Sequence, residues 1–330
     1  MDFQYNPKTQ ALQARLQDVM GQLVLPHHRE WHDLVERGVH PTQLIDDLKA
    51  LAKDEGLWNL FLPALGDDEP GTRLSNIEYA PLAETMGRLY WASEVFNCSA
   101  PDTGNMELLH LFTTPEQRVK YLLPPLHGTM RSAFAMTEPD VASSDATNIQ
   151  TTIRPSGIGY VVNGRKWFTT GAMHPHCRFV IVMGVCDDGD DRAAHLRHSM
   201  LLLPLDTPGV RILRNLPIMH HLSVDGHCEV LLRDVHVGPE ALLGESGAGF
   251  KLAQARCWCS GAACSRAHRP RRQPRGPRRR VGHQGARRST ADAGAGPRHA
   301  GLRRDGVDVR HTTGLVVDLG PGAAFRGRAR

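Results

Sequence analysis

The sequence predicts an α+β multidomain protein. A helical domain covers residues 1–130, and an antiparallel β-barrel or sandwich covers 131–240. Residues 241–256 open a further helical domain, and 257–330 form an arginine-rich, disordered tail. Three observations carry this. Apolar residues recur at spacings of three and four up to about residue 126, the period of an amphipathic helix. From Arg131 the period becomes two, with turn residues every few positions. After Arg256 the composition changes abruptly.

In the first part, Leu12, Leu16, Val19 and Leu23 stripe one helix face. Thr42 is placed to cap a helix with the apolar face Leu44, Ile45, Leu48, Leu51 and Ala52, and Gly56 is its stop. Ser75-Asn76-Ile77-Glu78 reads as a capping box opening a helix that ends near Gly87. Thr114-Pro115-Glu116-Gln117 is a second helix start, with proline at the first helical position. The polar stretch 97–105 has two readings: a linker whose Asp102 caps a helix over 106–111, or a loop facing a ligand. Cys98 has no basic neighbour in sequence and reads as packed rather than reactive.

In the second part, the candidate strands are 132–137, 151–154, 160–163, 165–169, 179–185, 199–204, 210–213, 228–232 and 235–237. Turns such as Gly157-Ile158-Gly159, Asn163-Gly164 and Thr207-Pro208-Gly209 separate many of them. Strands this short and frequent imply an antiparallel barrel or sandwich. Asn163-Gly164 between two strand-like runs is a strong type I′ hairpin signal. The charged segment 187–198 reads as a surface loop. The glycines of residues 244–249 lack both the spacing and the βαβ surroundings of a dinucleotide fingerprint, and read as easing the turn into a helix over 250–256.

Two stretches carry the equipment for chemistry. Residues 134–145 read FAMTEPDVASSD. A strand end at 134–137 is broken at Glu138-Pro139-Asp140, because Pro139 has no amide hydrogen and confines Glu138 to extended backbone. Ala142, Ser143 and Ser144 then bring small side chains, hydroxyls and amides that an anion can approach closely. Residues 163–171 read NGRKWFTTG and offer Trp167, Phe168, Thr169 and Thr170. Hydroxyls, strand-end amides and aromatic rings together suit a flat ring with a polar edge.

At these residues the chain resembles the acyl-CoA dehydrogenase family of flavoproteins, in the subgroup whose first motif reads MTEPDVASSDATN. The resemblance runs over roughly residues 20–256 and takes in LWNLFLP at 57–63, FNCSAPDTGNMELLH at 96–110 and TPGV at 207–210. It implies FAD as cofactor and 2,3-dehydrogenation of a fatty acyl-CoA thioester. It also implies electron-transfer flavoprotein as acceptor and a homo-oligomer for an intact member. By resemblance, Phe134, Ala135, Met136, Thr137, Ser143 and Ser144 line the FAD, with the Thr137 hydroxyl and the Met136 amide at the ring edge. Phe168, Thr169 and Thr170 match the second flavin-binding run. Phe168 stands where the family usually has tryptophan, and Thr170 matches the position whose hydroxyl and amide reach the flavin. Ser144 also matches a serine near the acyl-CoA substrate. The family's catalytic carboxylate lies in its C-terminal helical domain, so no residue here is assigned as the base; Glu138 and Asp145 belong to the flavin loop.

Composition narrows the remaining possibilities. Residues 257–330 hold 17 Arg, no Lys, 4 Asp and no Glu, a formal charge of about +13; residues 1–256 hold 22 basic and 31 acidic residues, about −9. The overall pI therefore describes neither part and supports no nucleic-acid partner. The tail also lacks Asn, Ile, Met and Tyr and is mostly Arg, Ala, Gly and Pro, as a shifted reading frame near codon 257 of a GC-rich gene would produce; the other reading is a genuine basic, disordered tail that binds nucleic acid electrostatically. On the frame-shift reading the chain is a truncated, impaired family member without the C-terminal bundle. The seven cysteines show no secreted disulfide framework, no leader is visible at the N-terminus, and the longest apolar stretch is of strand length, so a cytoplasmic protein with no membrane partner is expected. The clusters His174, His176, Cys177 and His220, His221, His227, Cys228 match no standard zinc spacing and read as packed or surface residues.

Overall fold

The computed structural model describes residues 5–256; the arginine-rich tail lies outside the described residues. Everything below belongs to the first of the two units into which the chain divides, Met1–Gln273.

Among the described residues, eight α-helices come first: α1 (Pro7–Val19), α2 (His28–Glu36), α3 (Thr42–Asp54), α4 (Asn76–Met86), α5 (Ala92–Val95), α6 (Asp102–Phe112), α7 (Pro115–Gln117) and α8 (Leu123–Leu126). Both capping boxes form. The Ser75 amide donates to Glu78 Oε2 at 2.8 Å, and the Gln117 amide donates to Thr114 Oγ1 at 3.2 Å. Each box satisfies amides that the first helical turn leaves without intrahelical acceptors. Two expected caps differ. Thr42 is the first residue of α3 with Pro41 before it, and its hydroxyl meets His40 Nδ1 at 2.9 Å. Asp102 begins α6 itself, and its carboxylate is drawn into the sheet instead: it accepts from the Ser132 amide at 2.7 Å, the Ser132 hydroxyl at 2.6 Å and Arg131 Nε at 2.7 Å. A tertiary charge partner here outbids a local cap.

Eight strands follow: β1 (Arg131–Ala135), β2 (Thr152–Ser156), β3 (Gly159–Thr170), β4 (Cys177–Cys186), β5 (His198–Pro204), β6 (Val210–Asn215), β7 (His227–Val237) and β8 (Leu242–Leu243). They form one sheet in the order β6-β7-β3-β2-β4-β5-β8, with β1 also on β4. Five pairings are antiparallel, as expected. Two are parallel, β1 with β4 and β2 with β4, so the sheet is mixed. The parallel pairs share one edge of β4. Ala135 lies opposite Val182 where β1 stops, and Thr152 lies opposite Val185 where β2 starts. Residues 136–151 leave the sheet and return to it across that short interval.

Strand β4 is buried on both faces. Phe179, Ile181 and Met183 join Met200, Leu202 and the helical core, and the Phe179 ring sits 4.9 Å from Tyr121. Val180 and Val182 join Ala133, Ala135, Leu201, Leu203, Val230 and Leu232 in a second apolar cluster. A near-continuous apolar run is what burial on both faces demands. A helix over residues 249–256, α9, follows the glycines of 244–249, as the sequence predicts.

The Asn163-Gly164 hairpin does not form. Strand β3 runs straight through it, and the reversal lies one turn earlier, where Ser156 pairs with Gly159 and Gly157 takes φ +59°. The Asn163 side chain is instead committed across to β7, donating to Asp234 Oδ1 at 3.2 Å and accepting from the Asp234 amide at 2.8 Å. The ladder slips register there, as at a β-bulge. Gly164 answers a close approach: a Cβ on it would lie 2.6 Å from Thr151 Cβ. We therefore expect Gly164→Ala to destabilise the fold by about 1–3 kcal/mol, the usual range for overpacking. Urea denaturation monitored by circular dichroism checks this, and an unchanged midpoint would contradict the packing account.

Candidate functional site

The chain 136–151 is fixed from beneath by one buried pair. Lys166, on β3, is fully buried, and its Nζ donates to Glu138 Oε1 at 2.8 Å and to the Met136 carbonyl at 3.0 Å. Glu138, 4% exposed, also accepts from the Gln150 amide at 2.8 Å, the Thr151 amide at 2.9 Å and the Thr151 hydroxyl at 2.6 Å. The Ser143 hydroxyl closes the loop by accepting from the Glu138 amide at 2.9 Å. Burial pushes the Glu138 carboxyl up, but Lys166 and these donors prevail and hold it below the usual carboxylate range. Burial pulls the Lys166 ammonium down to about 8, with Glu138 opposing, so it stays protonated at neutral pH.

The two motif stretches meet over this pair. The Trp167 amide donates to the Thr137 carbonyl at 3.0 Å, so the end of the first motif lies directly against the second. Phe134, Met136 and Thr137 are half-buried, as are Trp167 and Thr170. Phe168 adopts φ +48° and is 41% exposed, its ring 4.9 Å from that of Trp167. The ladder slips register between Lys166 and Thr169. Two polar atoms in this run are buried with no hydrogen-bond partner: the Trp167 indole nitrogen and the Thr169 hydroxyl.

Other expected site residues fall differently. The Thr170 hydroxyl meets His227 Nδ1 at 3.0 Å. The Ala135 side chain is buried in the second apolar cluster, so only its backbone is left to serve a ligand. Ser143 is committed to the loop, whereas Ser144 is exposed on it. Asp145 caps the short turn at Ala146–Asn148, accepting from the Thr147 amide at 2.9 Å and hydroxyl at 2.7 Å.

Sequence reasoning passed over Lys166 and Arg256. The signal for the first was a lysine just before the aromatic run of the second motif and a glutamate wedged against Pro139 in the first. Arg256, in α9, holds its guanidinium 4.3 Å from the Phe134 ring centroid and donates to Asn105 Oδ1 at 3.0 Å. It links the new helix to both α6 and the first motif, a contact between residues far apart in sequence.

The acyl-CoA dehydrogenase N-terminal domain model matches residues 6–129 and the acyl-CoA dehydrogenase middle domain model matches residues 133–235. The chain belongs to the acyl-CoA dehydrogenase family. It is similar to the Mycobacterium tuberculosis protein named probable acyl-CoA dehydrogenase FadE2, with 49% identity over 262 residues, covering 78% of this chain and 62% of that protein. Against mouse acyl-CoA dehydrogenase family member 10, identity is 46% over 76% of this chain and 24% of the relative. The solved structure of a candidate acyl-CoA dehydrogenase from Mycobacterium abscessus superposes with a TM-score of 0.71 at 42% identity, covering 79% of this chain and 66% of that one. The chain thus spans about 62% of the length of FadE2. No helix among the described residues of this family member is long and apolar enough to cross a membrane.

Removing one member of a buried ion pair strands the other. Lys166→Met is expected to cost about 3–5 kcal/mol of stability. The pH dependence has a defined sign. Because the folded carboxyl of Glu138 sits below its unfolded value, its contribution is complete above the ordinary carboxylate range and is lost as pH falls through the folded value. Lys166→Met should therefore flatten the acid side of the stability curve. Urea midpoints taken from neutral pH down into the acid range check both effects, and an acid limb as steep as the parent's would refute the assignment.

Proposed function

We propose that β1's end and β3 hold the isoalloxazine of FAD, as the flavin side of an enzyme that oxidises an acyl-CoA thioester to its 2,3-enoyl form. The observation that carries this is the pair of buried, unpartnered atoms, Trp167 Nε1 and Thr169 Oγ1, flanking a left-handed residue in a run that matches the family's second motif. A buried polar group without a partner costs about 1–3 kcal/mol, so two within three residues call for a ligand with polar edges. Thr169, rather than Thr170, has the hydroxyl left to give, since Thr170 is engaged by His227. Trp167 rather than Phe168 is the aromatic of choice to cover a ring face, because Phe168 turns outward. Bound FAD would accept, as a hydride, the two electrons and the hydrogen that leave the thioester's β carbon.

The chain's own residues do the positioning. Lys166 and Glu138 fix the Met136 carbonyl and the loop beyond it, so the strand-end amides keep one orientation. Preorganised donors of this kind stabilise charge without rearranging during reaction. Phe134 and Met136 supply apolar cover, and exposed Ser144 is offered to the acyl-CoA. Electron-transfer flavoprotein as acceptor and assembly as a homo-oligomer belong to the same proposal.

One observation favours a second reading, a non-catalytic flavin- or acyl-CoA-binding chain. Neither Glu138 nor Asp145 is free to take an α proton, since Glu138 is consumed by Lys166 and Thr151 and Asp145 by Thr147. Purified full-length chain mixed with FAD separates the two. Yellow protein bleached by acyl-CoA supports the dehydrogenase, yellow protein that does not bleach supports the flavin binder, and a chain that retains neither flavin nor acyl-CoA overturns both readings. The frame-shift reading of residues 257–330 has its own check, the gene sequence across codon 257, where an uninterrupted frame would overturn it. Thr169→Val should weaken FAD binding about fivefold to tenfold, the loss of one hydrogen bond, while Thr170→Val changes it little. Flavin fluorescence titration reads both.

A further inference from the structure

A cavity of about 540 Å³, lined by no residue of the two motifs though by His227 beside Thr170, lies between the helical layer and the loop joining β6 to β7. Its size is that of a small-molecule site. Three aromatic rings wall one side. Trp31 and Trp91 stack with centroids 5.5 Å apart, and Tyr90 stands at 90° to Trp31 with centroids 5.0 Å apart. Trp31 and Trp91 are buried, and Tyr90 stands exposed at the rim.

The lining also carries charge. Arg131 is the permanent cation of the lining, and its guanidinium is already shared among Glu94 at 2.7 Å, Asp102 at 2.7 Å and Ser99 Oγ at 2.8 Å. Behind it, Lys49 holds Glu94 at 3.0 Å. Lys49 and Arg131 thus face Glu94, Asp102, Asp225 and also Asp46, which lies 3.6 Å from Lys49, so carboxylates outnumber the permanent cations. Asp225 is the carboxylate whose ion-pair partner is a histidine, His40 Nε2 at 2.9 Å. Burial raises the Tyr90 hydroxyl's pKa, and the Asp225 carboxylate raises it further, so ring and carboxylate share one electrostatic environment.

A metal ion fits poorly. His40, His174 and Asp225 lie close enough together to suggest one. Yet His174 has both ring nitrogens engaged, Nε2 with Glu94 at 3.0 Å and Nδ1 accepting from the His176 amide at 3.0 Å. His40 Nδ1 is likewise taken by Thr42. What remains is one histidine nitrogen and one carboxylate, too few ligands for a held ion. Aromatic faces beside a carboxylate favour instead a soft, weakly hydrated cation.

We propose that this cavity binds a small organic cation, a quaternary or protonated amine with a compact apolar body, its head set between the aromatic wall and Asp225. Choline and its uncharged carbon isostere 3,3-dimethylbutan-1-ol, titrated into the full-length chain at matched ionic strength, test this, with the fluorescence of Trp31 and Trp91 as readout. Choline should perturb the emission saturably, and the isostere should bind about tenfold more weakly. Asp225→Asn, at a half-exposed position that keeps the side-chain shape, should lower choline affinity about tenfold and leave the isostere unchanged. Tyr90→Leu, at the exposed rim, should weaken choline as well. Equal affinity for the two probes, or full choline affinity in Asp225→Asn, overturns the proposal in favour of a neutral apolar cavity. Zinc chloride that binds and expels choline overturns it in favour of a metal site. The outcome is independent of flavin, since every residue tested lies outside the two motifs.

Discussion

A lysine and a glutamate buried together beneath the sheet's surface hold the candidate site in place. Taking both charges out of water is expensive, and their mutual attraction alone seldom recovers that cost. Here the remaining capacity of each group is spent on backbone: Lys166 on the Met136 carbonyl, Glu138 on the amides of Gln150 and Thr151. These bonds tie the first residue after β1 to the last residues before β2. The excursion between the two strands, the whole of the first motif's loop, therefore has both ends anchored to a single side chain of β3. A hydrophobic pair of similar volume could fill the space, but it would leave those three backbone groups to find other partners.

Strand β1 is held just as firmly at its other end. Arg131 and Ser132 are bound by Asp102 from α6, and Arg131 also by Glu94 from α5. Five residues of strand thus carry an ionic joint to the helices at one end and the loop anchor at the other. Between them, Ala133 and Ala135 point into the second apolar cluster and Phe134 points toward Arg256 of α9. The helical layer, through β1, sets where the first motif begins, while β3 sets where it turns. Disturbing either joint should move the same few ångströms of chain.

Much of this was legible in the sequence, and what was not has a common cause. The two capping boxes, the strand periodicity and the glycine-assisted start of α9 are written within four or five neighbouring residues, and each formed. The parallel pairing of β1 and β2 with β4 is not, because no turn residue marks a parallel partner; short strands with short connections read as hairpins throughout. Asn163-Gly164 shows the limit most plainly. Locally it is a good reversal, but Asp234 across the sheet satisfies the asparagine and Thr151 requires the glycine, so tertiary partners override the turn. Thr42 and Asp102 gave up their expected caps in the same way, to His40 and to Arg131 with Ser132. In the site, the two motifs lie side by side, as the Trp167–Thr137 bond shows, but which of two adjacent threonines keeps a free hydroxyl depends on His227, almost sixty residues away.

Phe168 explains why it is Thr169. In a regular strand, Lys166, Phe168 and Thr170 would share one face and Trp167 and Thr169 the other. The left-handed backbone at Phe168 breaks that alternation, coincides with the register slip against β7, and leaves Lys166 and Thr169 both buried. A non-glycine residue in this conformation costs on the order of 1–3 kcal/mol and persists when its surroundings over-determine it. The surroundings here add a second cost instead of offsetting the first, for the residues on either side each bury a polar atom without a partner. Strain flanked by unmet hydrogen bonds is the physical basis of the flavin-binding proposal. The ligand's polar edge would meet the two orphaned atoms, and its plane would cover the apolar side of Trp167. On that proposal, the outward turn of Phe168, unfavourable for the strand by itself, would leave room for that edge beside Thr169.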